Sequence, residues 1–200
     1  LGFPGRVLLG IGIGDAEATS EYQTPLAKTR EFLDGVAAGP DPVARERMVV
    51  AALGPKMLDL SFERTLGTHP YVVPVEHTRF VRERLGPRAL VAPELAVVVD
   101  EDRVRAREAA RKYADMYLRL GNYTGNLKRI GWGEEEIANG GSDRLIDAVV
   151  PQGAAAELAG CAAAHLEAGA DHVCVQTVGV SGVPTAQWAA MARAMGLKGA

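Results

Sequence analysis

The sequence predicts an α/β fold built on parallel strands, and three observations carry that reading. Strand-like and helix-like stretches alternate along the chain, which argues for parallel pairing through helical crossovers. The first strand, Arg6-Val-Leu-Leu-Gly-Ile-Gly-Ile-Gly-Asp15, carries glycine at positions 10, 12 and 14 and ends in a carboxylate. Finally, 200 residues of 48% hydrophobic composition suffice for one well-buried core, and no linker divides them.

The elements follow in order. Side chains alternate across a strand, so Val7, Leu9, Ile11 and Ile13 form one apolar face and Gly10, Gly12 and Gly14 a bare one. A bare face costs strand stability and marks a place where a flat ligand or another backbone comes close. Thr24-Pro25 opens a helix whose stripe of Leu26, Thr29, Leu33, Val36 and Ala37 runs to Gly39. Met48 to Leu53 reads as a buried strand, and Gly54-Pro55-Lys56 turns from it into a helix through Met57, Leu58, Leu60 and Phe62. A third strand, Thr68 to Val73, feeds a helix from Val75 to Leu85 that Gly86-Pro87 stops. A fourth lies within Ala89 to Val99 and precedes a charged helix from about Glu101 to Leu120.

Glycines chop residues 121–150 into short helices, and this stretch reads as a helical insertion within a single domain spanning 1–200. An alanine-rich helix, Ala154 to Ala168, precedes the last strand, Ala170 to Val178, and Pro184 to Met195 closes the chain as a helix.

Gly-Ile-Gly-Ile-Gly lacks the spacing of the dinucleotide-binding fingerprint, which favours a barrel over an open doubly wound sheet. A (β/α)8 TIM barrel typically needs about 250 residues. The expectation is therefore the C-terminal five β/α units of such a barrel, with the first three strands missing. The chain starts at Leu1 rather than methionine and enters a strand almost at once, as if its natural beginning had been removed.

Bulk properties narrow the function. The net charge is −3, from 22 basic and 25 acidic residues without a basic block, so nucleic acid is not an expected partner. No apolar run approaches the roughly 20 residues of a membrane span, and no signal peptide is visible. Cys161 and Cys174 lack paired-ligand spacing and fit a reducing cytoplasm. His165 and His172 form no metal pair, no His-Glu-x-x-His motif exists, and no metal is expected. The Gly-x-Ser-x-Gly elbow of serine hydrolases is absent too.

Four stretches, taken in order and spacing, resemble the luciferase-like monooxygenase superfamily over nearly all of the chain. They are Gly5-Arg-Val-Leu-Leu-Gly-Ile-Gly-Ile-Gly14, Ala51-Ala-Leu-Gly-Pro-Lys-Met57, Gly67-Thr-His-Pro-Tyr71 and Ala168-Gly-Ala-Asp-His-Val173. The likeness is greatest to the actinobacterial branch of oxidoreductases that use the deazaflavin coenzyme F420. The resemblance implies that the glycine strand is the fourth of the barrel and Asp171 to Val178 the eighth. It implies an oxidoreductase that moves hydride between F420 and a small organic substrate, and a homodimer. An FMN-dependent monooxygenase is the alternative within the class. A catalytically silent, incomplete barrel acting as an assembly module through its exposed edge is the alternative outside it.

At Gly54-Pro55-Lys56-Met57 the backbone N–H groups of a first helical turn point above a strand end, where an anion is well held. The resemblance assigns the cofactor's phosphate-bearing tail to Gly54, Pro55 and Met57, together with the strand end at Gly12, Ile13 and Gly14. Pro55 as a plain helix start is the bland reading of the same residues.

Three residues are catalytic candidates. Asp15 matches an acidic position that lies beside the ring in some deazaflavin-dependent relatives, which carry Glu there; a solvated loop carboxylate is the other reading. His69 and Tyr71 share a face of the third strand and point toward a barrel mouth as candidates for substrate contact or proton donation, although a lone histidine also serves as a core residue. Glu76 and His77 begin the next helix, where an acidic side chain suits the dipole without further function. Asn122, Tyr123 and Asn126 share a helical face, available either to a lid or to packing.

Overall fold

The computed structural model describes residues 7–14 and 24–197. Four parallel strands lie side by side in chain order: β1 (Leu9–Ile11), β2 (Met48–Val50), β3 (Gly67–Thr68) and β4 (Leu90–Val91). Three more pair in parallel, with β5 (Glu94–Val99) between β6 (Gln152–Gly153) and β7 (Cys174–Thr177).

Strands β4 and β5 are one extended run interrupted at Pro93, which has no N–H to give to a ladder. Along this run the odd carbonyls of Val91, Pro93 and Val97 accept from Asp171, Cys174 and Val178, so that edge belongs to β7. The even N–H groups serve the other edge, Ala92 and Glu94 donating to Thr68 and Pro70, and Val98 and Asp100 to Pro151 and Gly153. Strand β3 and then β6 thus occupy the same edge in succession. Among the described residues the barrel is not closed; β1 is an outer strand of the first sheet, and β6 and β7 are the outer strands of the second.

Nine helices occur among the described residues: α1 (Pro25–Ala38), α2 (Pro55–Arg64), α3 (Val75–Leu85), α4 (Arg103–Leu118), α5 (Gly121–Arg129), α6 (Glu134–Ile137), α7 (Asp143–Val149), α8 (Ala155–Glu167) and α9 (Thr185–Ala194). Helix α4 starts at its Asp102 cap, whose carboxylate accepts from the Val104 and Arg105 N–H groups. Thr24 precedes α1, but its hydroxyl makes no capping bond.

The two faces of β5 bury different partners. Leu95 and Val97 pack with Leu158 and Ala162 of α8 and Met191 of α9. Ala96 and Val98 meet α4 through Ala106, Ala110 and Ala114, all fully buried at four-residue spacing. Small side chains in a row let the helix approach the strand closely. Helices α5 to α7 extend this second cluster through Leu127, Ile137, Leu145 and Ile146.

Several strand expectations need correction, and the second and last strands are shorter than expected, Met48–Val50 and Cys174–Thr177. The third strand ends at Thr68 rather than Val73, because Pro70 interrupts the ladder and Val72 takes a left-handed φ of 49°. Only Ile11 of the apolar face on β1 is buried, against Leu33, Met48 and Val50; Val7 and Leu9 are exposed and lie outside that cluster. Strand β6 was not foreseen. Glycine is required at Gly67, where a Cβ would collide with the Leu90 backbone.

Candidate functional site

The C-terminal ends of β1, β2 and β3 open on a cleft of ≈ 740 Å³. One wall is the backbone from Gly10 to Gly14, the floor is Ala51 to Gly54 with Met57, and His69 to Tyr71 stand beside it. Tyr117 at the end of α4, and Asn122, Tyr123 and Arg129 of α5, form the facing wall. A second hollow of ≈ 670 Å³ adjoins it, sharing Pro25, Gly54, Met57 and Arg129 and adding Pro55 and Lys56.

The geometry brings most of the sequence candidates together. Gly12, Ile13, Gly14, Gly54, Met57, His69 and Tyr71 line the cleft, and Pro55 lines the adjoining hollow. Asp15 lies outside the described residues. A Cβ built on Gly10, Gly12 or Gly14 would meet nothing within 4 Å, so the bare face of β1 looks into open space that a flat ring can enter.

The anion turn is leaner than its sequence implied. Pro55 has no N–H, and the Met57 and Leu58 N–H groups both fold back on the Gly54 carbonyl, at 3.1 and 3.0 Å. The Lys56 N–H keeps no backbone acceptor among the described residues. Arg129 supplies what the turn lacks: one guanidinium nitrogen lies 4.0 Å from where a Gly54 Cβ would stand, and another donates to Asn126 Oδ1 at 3.1 Å. Neither lining contains an Asp or Glu among the described residues, so Lys56 and Arg129 set a positive local field. Asn126 is therefore a buried support for Arg129 rather than part of a lid.

His69 and Tyr71 meet edge to face with ring centroids 5.0 Å apart. His69 Nδ1–H donates to the Ala92 carbonyl at 2.5 Å, which leaves Nε2 as the free nitrogen. Burial, and then the nearby Glu94, push the Tyr71 hydroxyl upward, so it stays protonated at neutral pH.

Behind the floor, the fully buried His77 donates from Nε2 to the Leu53 carbonyl at 3.1 Å and props the turn. Burial pushes its pKa down to about 4. His165, also buried, shares a 2.8 Å hydrogen bond with Thr78 and is likewise lowered to about 4 by burial. Both imidazoles are neutral at pH 7, and Glu76 is exposed.

The sequence reading missed a buried carboxyl beside this site. Glu94 is 2% exposed; its Oε2 accepts the N–H of the strained Val72, at 3.1 Å, and its Oε1 accepts the Tyr113 hydroxyl, at 3.3 Å. A β-branched residue in the left-handed region costs energy that this hydrogen bond helps to offset, and Tyr71 sits directly before it. The rings of Tyr113, Tyr117 and Tyr123 then meet in sequence, the first pair tilted and the second edge to face, with centroids 5.3 and 4.9 Å apart, out to the cleft. Only the run of tyrosines on α4 and α5 hinted at this in the sequence.

Among the described residues there is no group of three potential metal ligands, and no helix long and apolar enough to cross a membrane. No family model matches the chain, and no curated protein matches it in sequence. Solved structures share its fold, two of them as follows. A coenzyme F420-dependent tetrahydromethanopterin reductase from Methanopyrus kandleri is 17% identical with a TM-score of 0.65, the match covering 96% of this chain and 74% of that one. An F420-dependent secondary alcohol dehydrogenase in complex with an F420-acetone adduct is 16% identical with a TM-score of 0.60, covering 88% of this chain. This chain spans 65% of that dehydrogenase's length.

Proposed function

We propose that this chain is the cofactor-holding part of an F420-dependent oxidoreductase that moves hydride between the deazaflavin and a small organic substrate. The observation that carries the reading is a side-chain-free wall at Gly10, Gly12 and Gly14 facing a cleft that runs into a cationic hollow at Gly54, Lys56 and Arg129. A planar ring joined to an anionic tail has that shape and that charge. The fold shared with two F420-dependent enzymes, and the motifs at 5–14 and 51–57, point the same way.

Bound there, the deazaflavin would supply hydride transfer at its ring, chemistry that no side chain provides. The chain's own residues bind, orient and exclude water. Lys56 and Arg129 hold the anionic tail beside Gly54, the backbone from Gly12 to Gly14, which the resemblance assigned to the tail, supports the ring instead in this reading, and His69 Nε2 and the Tyr71 hydroxyl offer polar contacts to a substrate oxygen. Asp15, directly after the glycine wall in sequence, remains a candidate for proton transfer in this reading. The chain acts as one domain in which 121–150 is an insertion that supplies the facing wall.

Equilibrium binding of oxidised F420 and of FMN, followed side by side by cofactor fluorescence, tests the proposal. Micromolar binding of F420 with weaker FMN supports it, and Arg129→Ala then weakens F420 binding about tenfold, the loss of one charge-assisted contact worth about 1.4 kcal/mol. Equal or preferential FMN binding turns the reading to the flavin-dependent monooxygenase, and no binding of either removes it. The outer edges of β1 and β7, which pair with no other strand among the described residues, favour a second reading, pairing with another copy of the chain, which sedimentation analysis checks.

A further inference from the structure

Glu94 is the first residue of β5 and shares the face of Ala96 and Val98, the one covered by α4. A carboxyl in that position is costly, and a glutamine would satisfy the Val72 N–H equally well. What glutamine cannot do is take up and release a proton. The hydroxyl groups form a line outward from it: Tyr113 donates to Glu94 Oε1 at 3.3 Å, Tyr113 and Tyr117 oxygens lie 3.4 Å apart, and Tyr117 lines the cleft. These are long hydrogen bonds, of the kind that tighten when a ligand fills the site.

We propose that Glu94, Tyr113 and Tyr117 form a proton line between the buried interior and the cleft, serving substrate protonation state in the reaction proposed above, on which this inference rests. Where the small organic substrate is an alcohol, loss of hydride from its carbon to a bound deazaflavin would turn the C–O group into a carbonyl and would require its oxygen to release a proton. That proton passes to the Tyr117 oxygen as the proton of Tyr117 passes to Tyr113 and that of Tyr113 to the Glu94 carboxylate, which ends neutral. In the reverse direction the same protons return in the opposite order.

The surroundings of Glu94 suit this exchange. The titratable groups that face it are Tyr71 before the Val72 turn, Tyr113 on α4 and Cys174 on β7, none of them cationic, with Tyr117 next along the line. Burial dominates and raises its pKa to about 7, against the lowering effect of the Val72 N–H and the Tyr113 hydroxyl. Both protonation states are therefore populated at neutral pH.

The test follows the Glu94 carboxyl by infrared spectroscopy in the whole chain without cofactor, after light-triggered release of protons into the solvent. Glu94→Gln assigns the band by removing it. Tyr117→Phe and Tyr113→Phe each keep the Val72 hydrogen bond, and each slows protonation of the carboxyl about tenfold or more; the midpoint stays close to neutrality in Tyr117→Phe and moves upward in Tyr113→Phe, which loses the hydroxyl that holds it down. Unchanged rates in both phenylalanine variants overturn the proton line and leave Glu94 a support for the Val72 turn. So does the absence of a carboxyl band titrating near pH 7. Because no cofactor is present, the line can stand when F420 binding fails, and can fail when F420 binds.

Discussion

Strands β1 and β5 belong to one series of parallel strands and are built in opposite ways. Five of the six residues of β5 are buried, and both of its edges are occupied. Strand β1 is three residues long with only Ile11 buried, and it pairs on one edge among the described residues. Yet β1 supplies the bare wall of the cleft, while β5 contributes a single carboxyl behind it. The residues that hold the molecule together and those that meet a ligand are largely different sets, so substitutions can separate stability from binding.

The largest effect breaks the comparison directly. Leu95→Ala, at 1% exposure on β5, lowers the unfolding free energy by about 2–5 kcal/mol. Leu9→Ala on β1, where the leucine is 36% exposed, lowers it by less than about 1 kcal/mol. Urea unfolding of the two variants checks this, and equal losses would show that β1 is as deeply anchored as β5.

Acid comes next. His77 and His165 have folded pKa values near 4, below the ordinary 6.5, so the unfolded chain binds more protons between those limits. Their contribution to stability is full above about pH 6.5 and is lost as pH falls toward 4, on the order of 3 kcal/mol for each. Unfolding curves across that window should show the loss, and His165→Gln should flatten it; a profile the histidine variant leaves unchanged would count against burial as the cause.

Glu94 works in the opposite sense. Its folded pKa of about 7 stands above the ordinary 4.5, so the stability it contributes is full below about pH 4.5 and lost as pH rises through 7. Glu94→Gln should therefore stabilise the chain at pH 8 by about 3 kcal/mol and leave it little changed at pH 4. Thermal unfolding at the two pH values reads the difference, and a variant destabilised at both would mean that the carboxyl is needed in its charged form.

The smallest effect on stability should accompany a large one on binding. Gly12→Val adds a side chain at a position where a Cβ meets no atom within 4 Å, so unfolding should shift by no more than about 0.5 kcal/mol while F420 binding falls sharply. Retained binding would place the ring away from β1.

Legibility followed the range of the interactions. Helix α3 runs from Val75 to Leu85 as its pattern and Gly86 stop imply, because caps and periodicity are local signals. The turn at Gly54 and the pairing of His69 with Tyr71 could be read the same way, each lying within a few residues of chain. Arg129 could not, since its approach to Gly54 joins elements 75 residues apart that only tertiary packing brings together. Glu94 read as one more position in a strand run, for its bond to Val72 depends on a left-handed β-branched residue that sequence gives no reason to expect. Strand β6 has two residues and no periodicity to detect.

The shared edge of the 90–99 run has a consequence for the newly made chain. Once Leu66 to Pro70 have emerged, this stretch can settle against them at once, but its opposite edge waits for Asp171 to Val178 and the remainder of its first edge for Pro151 to Gly153. At about 5–20 residues per second on the ribosome, that delay is on the order of ten seconds. For that interval a valine-rich strand lacks the partners of one edge, the kind of unpaired edge that invites pairing with other chains.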